Sequence, residues 1–331
     1  MSKTSVRPWR VLSAVAAALA LAACTGPSAE TGPEPGAAPQ GVDTSAPLDF
    51  AVITHGSGGD AFWSVVKNGA EDAGRDLGVK VTYNGDGKPD AQAKLIDNAV
   101  AQGKTGLVVS MANPDALKDS IEAAVRAGIP VITINSGADE SKEFGAIAHV
   151  GQDETVAGKA AGERLKNEGK KNILCVIHEA ANSGLNDRCQ GAKDGFGGKV
   201  TNLQVDINNP TDTESRMRGA LQTDPTIDGV LTLNSQVADL AVSAAASAGV
   251  KAAIATFDLN TDVVNSIKAG KILFAVDQQQ YEQGYLPIVM LKLYRDNGNT
   301  LGGGLPVFTG PGFVDKSNAD QVGKYTVRGT R

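Results

Sequence analysis

The sequence predicts an α/β fold with two lobes, each built on a doubly wound parallel sheet. Ten short apolar, β-branched runs alternate with helical patterns from Leu48 onward, and such runs suit strands that are buried on both faces of a sheet. The runs form two successive series of five, which favours two sheets. The 39 glycines and 14 prolines, against 15 aromatic residues in 331, agree with many short elements joined by tight turns.

The predicted strands of the first series are Phe50 to Thr54, Val79 to Tyr83, Gly106 to Ser110, Pro130 to Ile134 and Ala146 to Val150. Those of the second series are Ile173 to His178, Val200 to Val205, Gly229 to Leu233, Ala252 to Phe257 and Ile272 to Val276. Between strands, apolar residues recur at helical spacing, as at Phe62, Val66, Ala70, Ala73 and Leu77. In such folds ligands bind at the carboxyl ends of the strands, so the residues that follow each strand are the candidates for function.

The chain begins with the pattern of an export signal over residues 1–23. Three basic residues precede a 13-residue apolar run from Val11 to Ala23, which is too short to cross about 30 Å of hydrocarbon as a helix. The sequence from Leu21 to Cys24 resembles the bacterial lipoprotein signal, in which the cysteine becomes the lipidated first residue. We therefore predict cleavage before Cys24 and lipidation of Cys24, with a plain secretory signal as the alternative.

Residues 24–47 are predicted to be the lipidated cysteine followed by a disordered tether. Thr25 to Pro47 contains five prolines, four glycines and no aromatic residue, a composition that cannot bury a core. The formal charge of −6 becomes −9 once the signal is removed, because 28 Lys and Arg then face 37 Asp and Glu. This acidic balance disfavours nucleic acid as a partner.

The two remaining cysteines, Cys175 and Cys189, are even in number in a chain predicted to be exported, which favours a disulfide. Cys175 is expected at the end of a strand and Cys189 at the start of the next helix, at one end of a sheet. The alternative is two buried free thiols.

The segment after the first strand matches a dinucleotide-binding fingerprint through Gly56, Gly58 and Ala61. The hypothesis that this fingerprint supports is an NAD-dependent dehydrogenase. Against it, Asp60 would place a carboxylate where pyrophosphate should lie at the helix N-terminus. The expected acidic residue is also misplaced, because Asp86 lies 30 residues after Gly56. We therefore expect no nucleotide cofactor.

The same segment suits sugar binding. Asp60 can accept hydrogen bonds from paired hydroxyls, and Phe62 and Trp63 offer aromatic faces to the C–H patch of a polyol. The alternative is that Asp60 caps the helix and the aromatic rings are core, although capping is compatible with ligand binding. Since two adjacent aromatic residues cannot both point inward on one helix, one of them is expected to be exposed to the crevice.

Other predicted strand ends also supply hydrogen-bonding groups, namely Asn135-Ser136, the segment Asn182 to Arg188, Asn234 to Gln236, Asp258 to Asn260 and Asp277 to Gln280. Each alone is typical of a turn or cap, but together they indicate a neutral-to-acidic crevice that binds hydroxyls. No nucleophile has a clearly placed partner, so catalysis is not indicated. His55, His149 and His178 lack partners at helical spacing, which favours turn or ligand contacts over a metal site.

These residues resemble the type I periplasmic binding proteins of sugar ABC transporters, in the ribose- and galactose-binding branch. The resemblance extends from Leu48 to about Val322. It is carried by Asp60 to Trp63, Ile132 to Ser136, Asn186 to Gly191, Leu233-Asn234, Thr256 to Asp258 and Asp277-Gln278. Asn135-Ser136 replaces a charged pair of the branch, and Asn186 stands where an arginine often binds ring hydroxyls. Ordinary ribose is therefore disfavoured, and the expected ligand is another small neutral sugar, an alditol, a cyclitol or a modified pentose.

The resemblance implies two lobes joined by three crossovers, near residues 151–153, 278–280 and 307–310. It divides the chain into an N-terminal lobe of residues 48–151 plus 279–306 and a C-terminal lobe of residues 152–278 plus 307–331. The implied ligand-binding residues are Asp60, Phe62, Trp63, Asn135, Asn186, Arg188, Asn234, Asp258 and Gln278.

The implied partners are a permease and its ATPase, and the chain is expected to act as a monomer with no cofactor and no metal. It would be anchored to the outer face of the cytoplasmic membrane. A signalling receptor of the same fold, presenting its closed form to a chemoreceptor or sensor kinase, is the alternative function.

Overall fold

The computed structural model describes Met1 and residues 47–56 and 59–331. The predictions of a signal peptide at 1–23 and of lipidation at Cys24, and nearly all of the predicted tether, lie outside the described residues. Within the described part of the chain, no helix is long and apolar enough to span a membrane.

Two six-stranded sheets form the centres of two lobes. The first contains, in chain order, β1 (Asp49–Thr54), β2 (Lys80–Gly85), β3 (Gly106–Ser110), β4 (Val131–Ile134), β5 (Ala148–Gly151) and β11 (Val307–Phe308). The second contains β6 (Asn172–Ile177), β7 (Lys199–Gln204), β8 (Gly229–Thr232), β9 (Ala253–Phe257), β10 (Ile272–Asp277) and β12 (Gly312–Asp315). The spatial orders are β11-β5-β4-β3-β1-β2 and β12-β10-β9-β8-β6-β7, so both sheets are doubly wound, as predicted.

The helices of the first lobe are α1 (Ala61–Leu77), α2 (Pro89–Ala101), α3 (Pro114–Arg126), the single turn α4 (Ala138–Ser141) and α10 (Gln280–Asn297). Those of the second lobe are α5 (Glu154–Asn167), α6 (Ser183–Phe196), α7 (Pro210–Thr223), α8 (Ser235–Ala248), α9 (Thr261–Lys268) and α11 (Ala319–Thr326). Several begin at an Asp or Asn whose side chain accepts a backbone N–H of the first turn, which stabilises the exposed end of the helix.

Each sheet lies between two apolar layers, because the central strands are buried on both faces. All five residues of β3 and all six of β6 are buried, whereas the edge strands β2 and β7 expose polar residues. One core layer of the first lobe contains Phe50 and Val66, and the layer on the opposite face contains Ile53 and Leu117. The second lobe repeats this arrangement.

All ten predicted strands are present, and two short strands were not predicted. β11 pairs parallel with β5, and β12 pairs antiparallel with β10. β11 lies just before the last crossover and β12 just after it, and each adds an edge strand to its sheet. Because β11 belongs to the first sheet, the predicted lobe boundary between 306 and 307 is wrong by a few residues: the last crossover lies at 309–311.

The predicted disulfide joins Cys175 to Cys189, with a Cα–Cα distance of 5.9 Å. Its position differs from the expectation, because Cys175 lies inside β6 and Cys189 lies in the second turn of α6. Both residues are buried. The bond therefore fastens α6 to β6, an interior strand of the second sheet, and closes a loop with a sequence separation of 14.

Helices α5 and α6 pack closely through glycines. A Cβ atom at Gly158 would lie 2.1 Å from the carbonyl oxygen of Arg188, so only glycine allows this approach. The contact sets the distance between the start of α5 and the middle of α6.

Candidate ligand-binding site

A narrow cleft lies between the lobes and is lined by side chains of both. The first lobe contributes His55, Asp60, Phe62, Trp63 and Asn135, which we call the first wall. The second lobe contributes His178, Glu179, Asn182, Leu185, Arg188, Leu233, Asn234 and Asp258, which we call the second wall. Gln278 lies at the crossover after β10.

The parallel topology explains why these residues meet. His55 directly follows β1, Asn135 follows β4, His178 follows β6 and Asp258 follows β9. The carboxyl ends of the strands in both sheets thus face the same cleft, as expected for doubly wound sheets.

Two of these strand-end residues adopt a left-handed backbone. Asn135 has φ 65° and Asp258 has φ 68°, and Gln279, beside the crossover, has φ 53°. Non-glycine residues enter this region seldom, Asn and Asp more readily than others, and such residues concentrate at functional sites. The backbone at the cleft is therefore strained at the positions that aim polar side chains inward.

Asp60 caps helix α1, and its Oδ1 accepts the backbone N–H of Phe62 at 2.8 Å. Burial raises the pKa of Asp60 to about 6, although the N–H groups of Phe62 and Trp63 oppose the rise. Since the cap uses one carboxyl oxygen, the other is available to a hydroxyl in the cleft. Capping and ligand binding are compatible here, as the sequence suggested.

The rings of Phe62 and Trp63 form the apolar part of the first wall. They meet edge to face, with centroids 4.8 Å apart, and Trp63 also meets His55 edge to face at 4.6 Å. Gly56 makes room for the indole, because a Cβ there would lie 2.4 Å from Trp63 Cγ. Phe62 is 4% and Trp63 6% exposed to solvent, and both rings line the cleft, whereas only one ring was expected to face it.

Arg188 is held by a buried ion pair. Its Nε donates to Glu154 Oε2 at 2.6 Å and its Nη2 to Glu154 Oε1 at 3.0 Å, while Nη1 donates to the carbonyl of Leu233 at 3.3 Å. The guanidinium also lies 4.7 Å from the centroid of the Phe257 ring. Two N–H groups remain for a ligand, and the others fix the orientation of the guanidinium plane.

Asp258 is the most perturbed carboxyl of the cleft. Burial raises its pKa to about 7 against the attraction of Arg188 and the hydrogen bond from Gln278 Nε2, which is 2.6 Å from Asp258 Oδ1. Gln278 Oε1 in turn accepts from Asn135 Nδ2 at 3.2 Å. This chain of side chains connects Asn135 of the first wall, the crossover and Asp258 of the second wall.

The two lobes touch across the cleft. Ser183 N donates to the carbonyl of Ala112 at 3.0 Å, and Ser136 Oγ donates to Asn182 Oδ1 at 3.2 Å. Each bond joins one lobe to the other. The molecule is therefore in a closed arrangement, with the cleft shielded from solvent.

Eight of the nine predicted ligand residues line the cleft, and Asn186 does not. Asn186 is exposed on α6, and its Nδ2 donates to the carbonyl of Asn182 at 3.1 Å. The prediction for Asn186 needs correction because α6 begins at Ser183, one turn earlier than the motif suggested. Asn182, at the N-cap position, occupies the strand-to-helix turn that faces the cleft.

Six cleft residues were not among the predicted ligand residues: His55, His178, Glu179, Asn182, Leu185 and Leu233. The strand-end rule pointed to the two histidines and to Asn182, but no specific role in the site was assigned to them. Among the described residues no group of His, Cys, Asp or Glu could hold a metal ion. His149, the third strand-end histidine, is buried outside the cleft, 2.9 Å from the hydroxyl of Thr133.

The chain matches the model of the periplasmic binding protein domain family over residues 50–299. It is similar in structure to a carbohydrate transporter from Acidothermus cellulolyticus 11B, crystallised in complex with myo-inositol. The two are 43% identical, with a TM-score of 0.85 over 86% of this chain and 100% of that chain.

Two curated proteins are more distant relatives. The ribose import binding protein of Haemophilus influenzae is 25% identical over 69% of this chain and 79% of its own length. The xylose/arabinose-binding protein of Sulfolobus acidocaldarius is 24% identical over 78% of this chain and 68% of its own length.

Proposed function

This chain belongs to the periplasmic binding protein family, and from that premise we propose that it captures a small neutral cyclic polyol between its lobes for an ABC importer. One observation carries the proposal: a closed cleft places hydroxyl-binding side chains of both lobes beside an aromatic wall. The relative bound to myo-inositol supports a cyclitol as the first candidate.

The chemistry of the cleft favours a neutral ligand rich in hydroxyls. Asp60, Glu179 and Asp258 supply carboxyl oxygens that accept from hydroxyls and repel an anion. Asn234 uses Oδ1 to cap α8, at 2.8 Å from the backbone N–H of Gln236, which leaves its amide N–H groups to donate. A ring with hydroxyls at its edge and C–H bonds on its face satisfies both kinds of surface.

Capture follows from the contacts that a ligand makes with both lobes. A polyol that bonds Asp60 on one wall and Asp258 on the other interacts more strongly with the closed arrangement than with an open one. It therefore shifts the population toward the closed form. Closure brings the two lobe surfaces together, and this combined surface is what the permease would recognise.

We further propose that the protein is exported and lipidated at Cys24, that it remains at the outer face of the cytoplasmic membrane, and that it acts as a monomer. The lipoprotein-like sequence before Cys24 supports the anchor. The protein would bind without turnover, so its ligand should be recovered unchanged after long incubation.

The test is calorimetric titration of the purified protein with myo-inositol, other cyclitols, alditols and pentoses. Trp63 is the only tryptophan besides Trp9, which lies in the predicted signal, so indole fluorescence of the processed protein reports on the cleft. We expect one polyol to bind one-to-one and to change the emission. Preference for an anionic or apolar ligand over all polyols would refute the proposal.

A further inference from the structure

We propose that the site extends into a second compartment beside the cleft, where it accepts a second sugar ring, so that the ligand class includes glycosides of the cleft-bound polyol. This inference rests on the proposed function and deepens it. The compartment, which we call the side chamber, opens to solvent and is larger than the cleft.

The side chamber adjoins the cleft. His55, His178, Glu179 and Asn182 line both spaces. Both lobes also form the chamber: Asn113 and the segment 87–92 come from the first lobe, and residues 205–208 come from the second. An occupant would therefore touch both lobes and favour closure, as an occupant of the cleft does.

The lining of the side chamber suits a sugar ring. Asn113, Asp206 and Asn208 provide amide and carboxyl groups for hydroxyls, and Pro89, Ala181 and Val205 provide apolar contact. Among the described residues, the lining of the side chamber contains acidic side chains and neither lysine nor arginine. This charge disfavours a phosphate or carboxylate substituent on the ligand. A neutral sugar is the substituent that fits both features.

His178 supplies a separate observation that points to a ligand. It is 6% exposed, and its Nδ1 is buried without a hydrogen-bond partner among the described residues. A buried polar atom without a partner destabilises the protein, so we expect a ligand to supply the partner. Because His178 lines both spaces, a linking oxygen or adjacent hydroxyl at their junction would lie beside it.

The contacts between the two spaces are weak enough to admit such a linkage. Asn182 Nδ2 lies 3.4 Å from His55 Nε2, longer than a normal hydrogen bond, and His55 Nε2 lies 3.8 Å from Glu179 Oε2. Asn182 Nδ2 keeps a 2.8 Å bond to Glu179 Oε2. A ligand crossing between Asn182 and His55 displaces a poor contact and leaves the stronger bond intact.

The experiment compares myo-inositol with a galactosyl-myo-inositol by calorimetry, using the wild-type protein and two tryptophan substitutions. Asn208→Trp fills the side chamber from the second lobe. Ala138→Trp is the matched control, because Ala138 lines a groove that shares no residue with the side chamber. Asn208 is exposed, so folding does not depend on its side chain.

We expect both compounds to bind the wild type in competition. Asn208→Trp should weaken binding of the glycoside at least tenfold and of myo-inositol less than twofold, and Ala138→Trp should change neither affinity. Binding of myo-inositol without the glycoside, or equal glycoside affinity in all variants, would overturn the side chamber alone. Failure of both compounds and of every monocyclic polyol would overturn the proposed function and this inference with it.

Discussion

The two walls of the cleft differ in chemistry although they come from lobes of the same topology. The first wall presents the rings of Phe62 and Trp63 and a single carboxyl, Asp60. The second wall presents a buried arginine and two carboxyls. A shared fold thus positions an apolar surface on one side and a charged, hydrogen-bonding surface on the other.

The difference assigns separate tasks to the lobes. Apolar contact with the first wall depends little on direction, whereas hydrogen bonds to Arg188 and Asp258 require hydroxyls at defined positions. We therefore expect the second wall to discriminate between stereoisomers and the first wall to supply general affinity for a ring. Substitutions on the two walls should differ accordingly.

The largest effect is expected from Arg188→Met on the second wall. The change leaves Glu154 buried without its charge partner, which costs about 3–5 kcal/mol of unfolding free energy. Urea unfolding followed by circular dichroism measures the loss. Adding Glu154→Gln should restore most of the stability, and a single variant within about 1 kcal/mol of wild type would contradict a structural role for the pair.

Asp258→Asn should weaken ligand binding about a hundredfold and stabilise the empty protein. The loss follows from removing a charged acceptor, worth about 1.5–3 kcal/mol. The gain follows from linkage: burial raises the pKa of Asp258 to about 7, so the folded state binds an extra proton between pH 4 and 7, and stability falls as pH rises through that range.

At pH 8 the Asp258→Asn variant lacks this penalty. Its free energy of unfolding should be higher by on the order of 2 kcal/mol, so it should unfold at a higher urea concentration. Asn also retains the left-handed backbone and an acceptor for Gln278. Calorimetry and urea unfolding at pH 8 measure both effects, and lower stability together with unchanged affinity would refute the assignment.

Trp63→Leu on the first wall should weaken binding about thirtyfold, because it removes aromatic surface while keeping an apolar side chain. All polyols that bind should lose affinity by a similar factor, in contrast to the selective losses on the second wall. The titration is calorimetric, with thermal unfolding as a check on folding. A loss of affinity confined to one stereoisomer would contradict the proposal that the first wall supplies affinity without discriminating between stereoisomers.

Affinity should fall about tenfold between pH 8 and pH 6, because ligand hydroxyls donate to ionised carboxylates. The pKa of Asp258 is about 7 and that of Asp60 about 6, so protonation begins with Asp258 as the pH is lowered. Arg188, Asp60 and Glu154 are the charged groups that act on Asp258. Calorimetry across this range should show that affinity depends less on pH in Asp258→Asn than in the wild type. An equal pH dependence in the variant would show that Asp258 is not the group responsible.

The smallest effect is expected at Asn186, which lies outside both walls. Asn186→Ala should change affinity less than twofold, whereas Asn182→Ala, one turn earlier and within the second wall, should weaken binding several-fold. Comparing the two by calorimetry tests where α6 begins to contact the ligand. A larger loss of affinity in Asn186→Ala would show that Asn186 contacts the ligand, as the sequence motif predicted.

Most of the fold could be predicted from the sequence because strands buried on both faces produce continuous apolar runs. β11 and β12 were not predicted, and the reasons are physical. β11 has two residues, and β12 follows the glycine- and proline-containing segment 309–311, which is typical of a turn. Their pairing is determined by the crossovers, which no local pattern encodes.

The site was predicted to the extent that it follows the strand-end rule. Asp60, Asn135, Asn234 and Asp258 all follow strands, and each faces the cleft. Glu154 was not predicted because its role is to hold Arg188, which lies 34 positions away in the sequence. The close packing of α5 on α6 brings the two side chains together. The start of α6 was misplaced because Asn182 and Asn186 both suit a helix start by composition.

The left-handed backbones at Asn135 and Asp258 restrict how this protein can acquire new specificities. At these two positions a substitution must tolerate positive φ as well as suit the ligand, which leaves few residues beyond Asn, Asp and Gly. Asn182 and Asn234 have ordinary extended backbones and accept any side chain on that ground. Redesign of the binding preference should therefore start from Asn182 and Asn234, and natural divergence in ligand should proceed through the same pair.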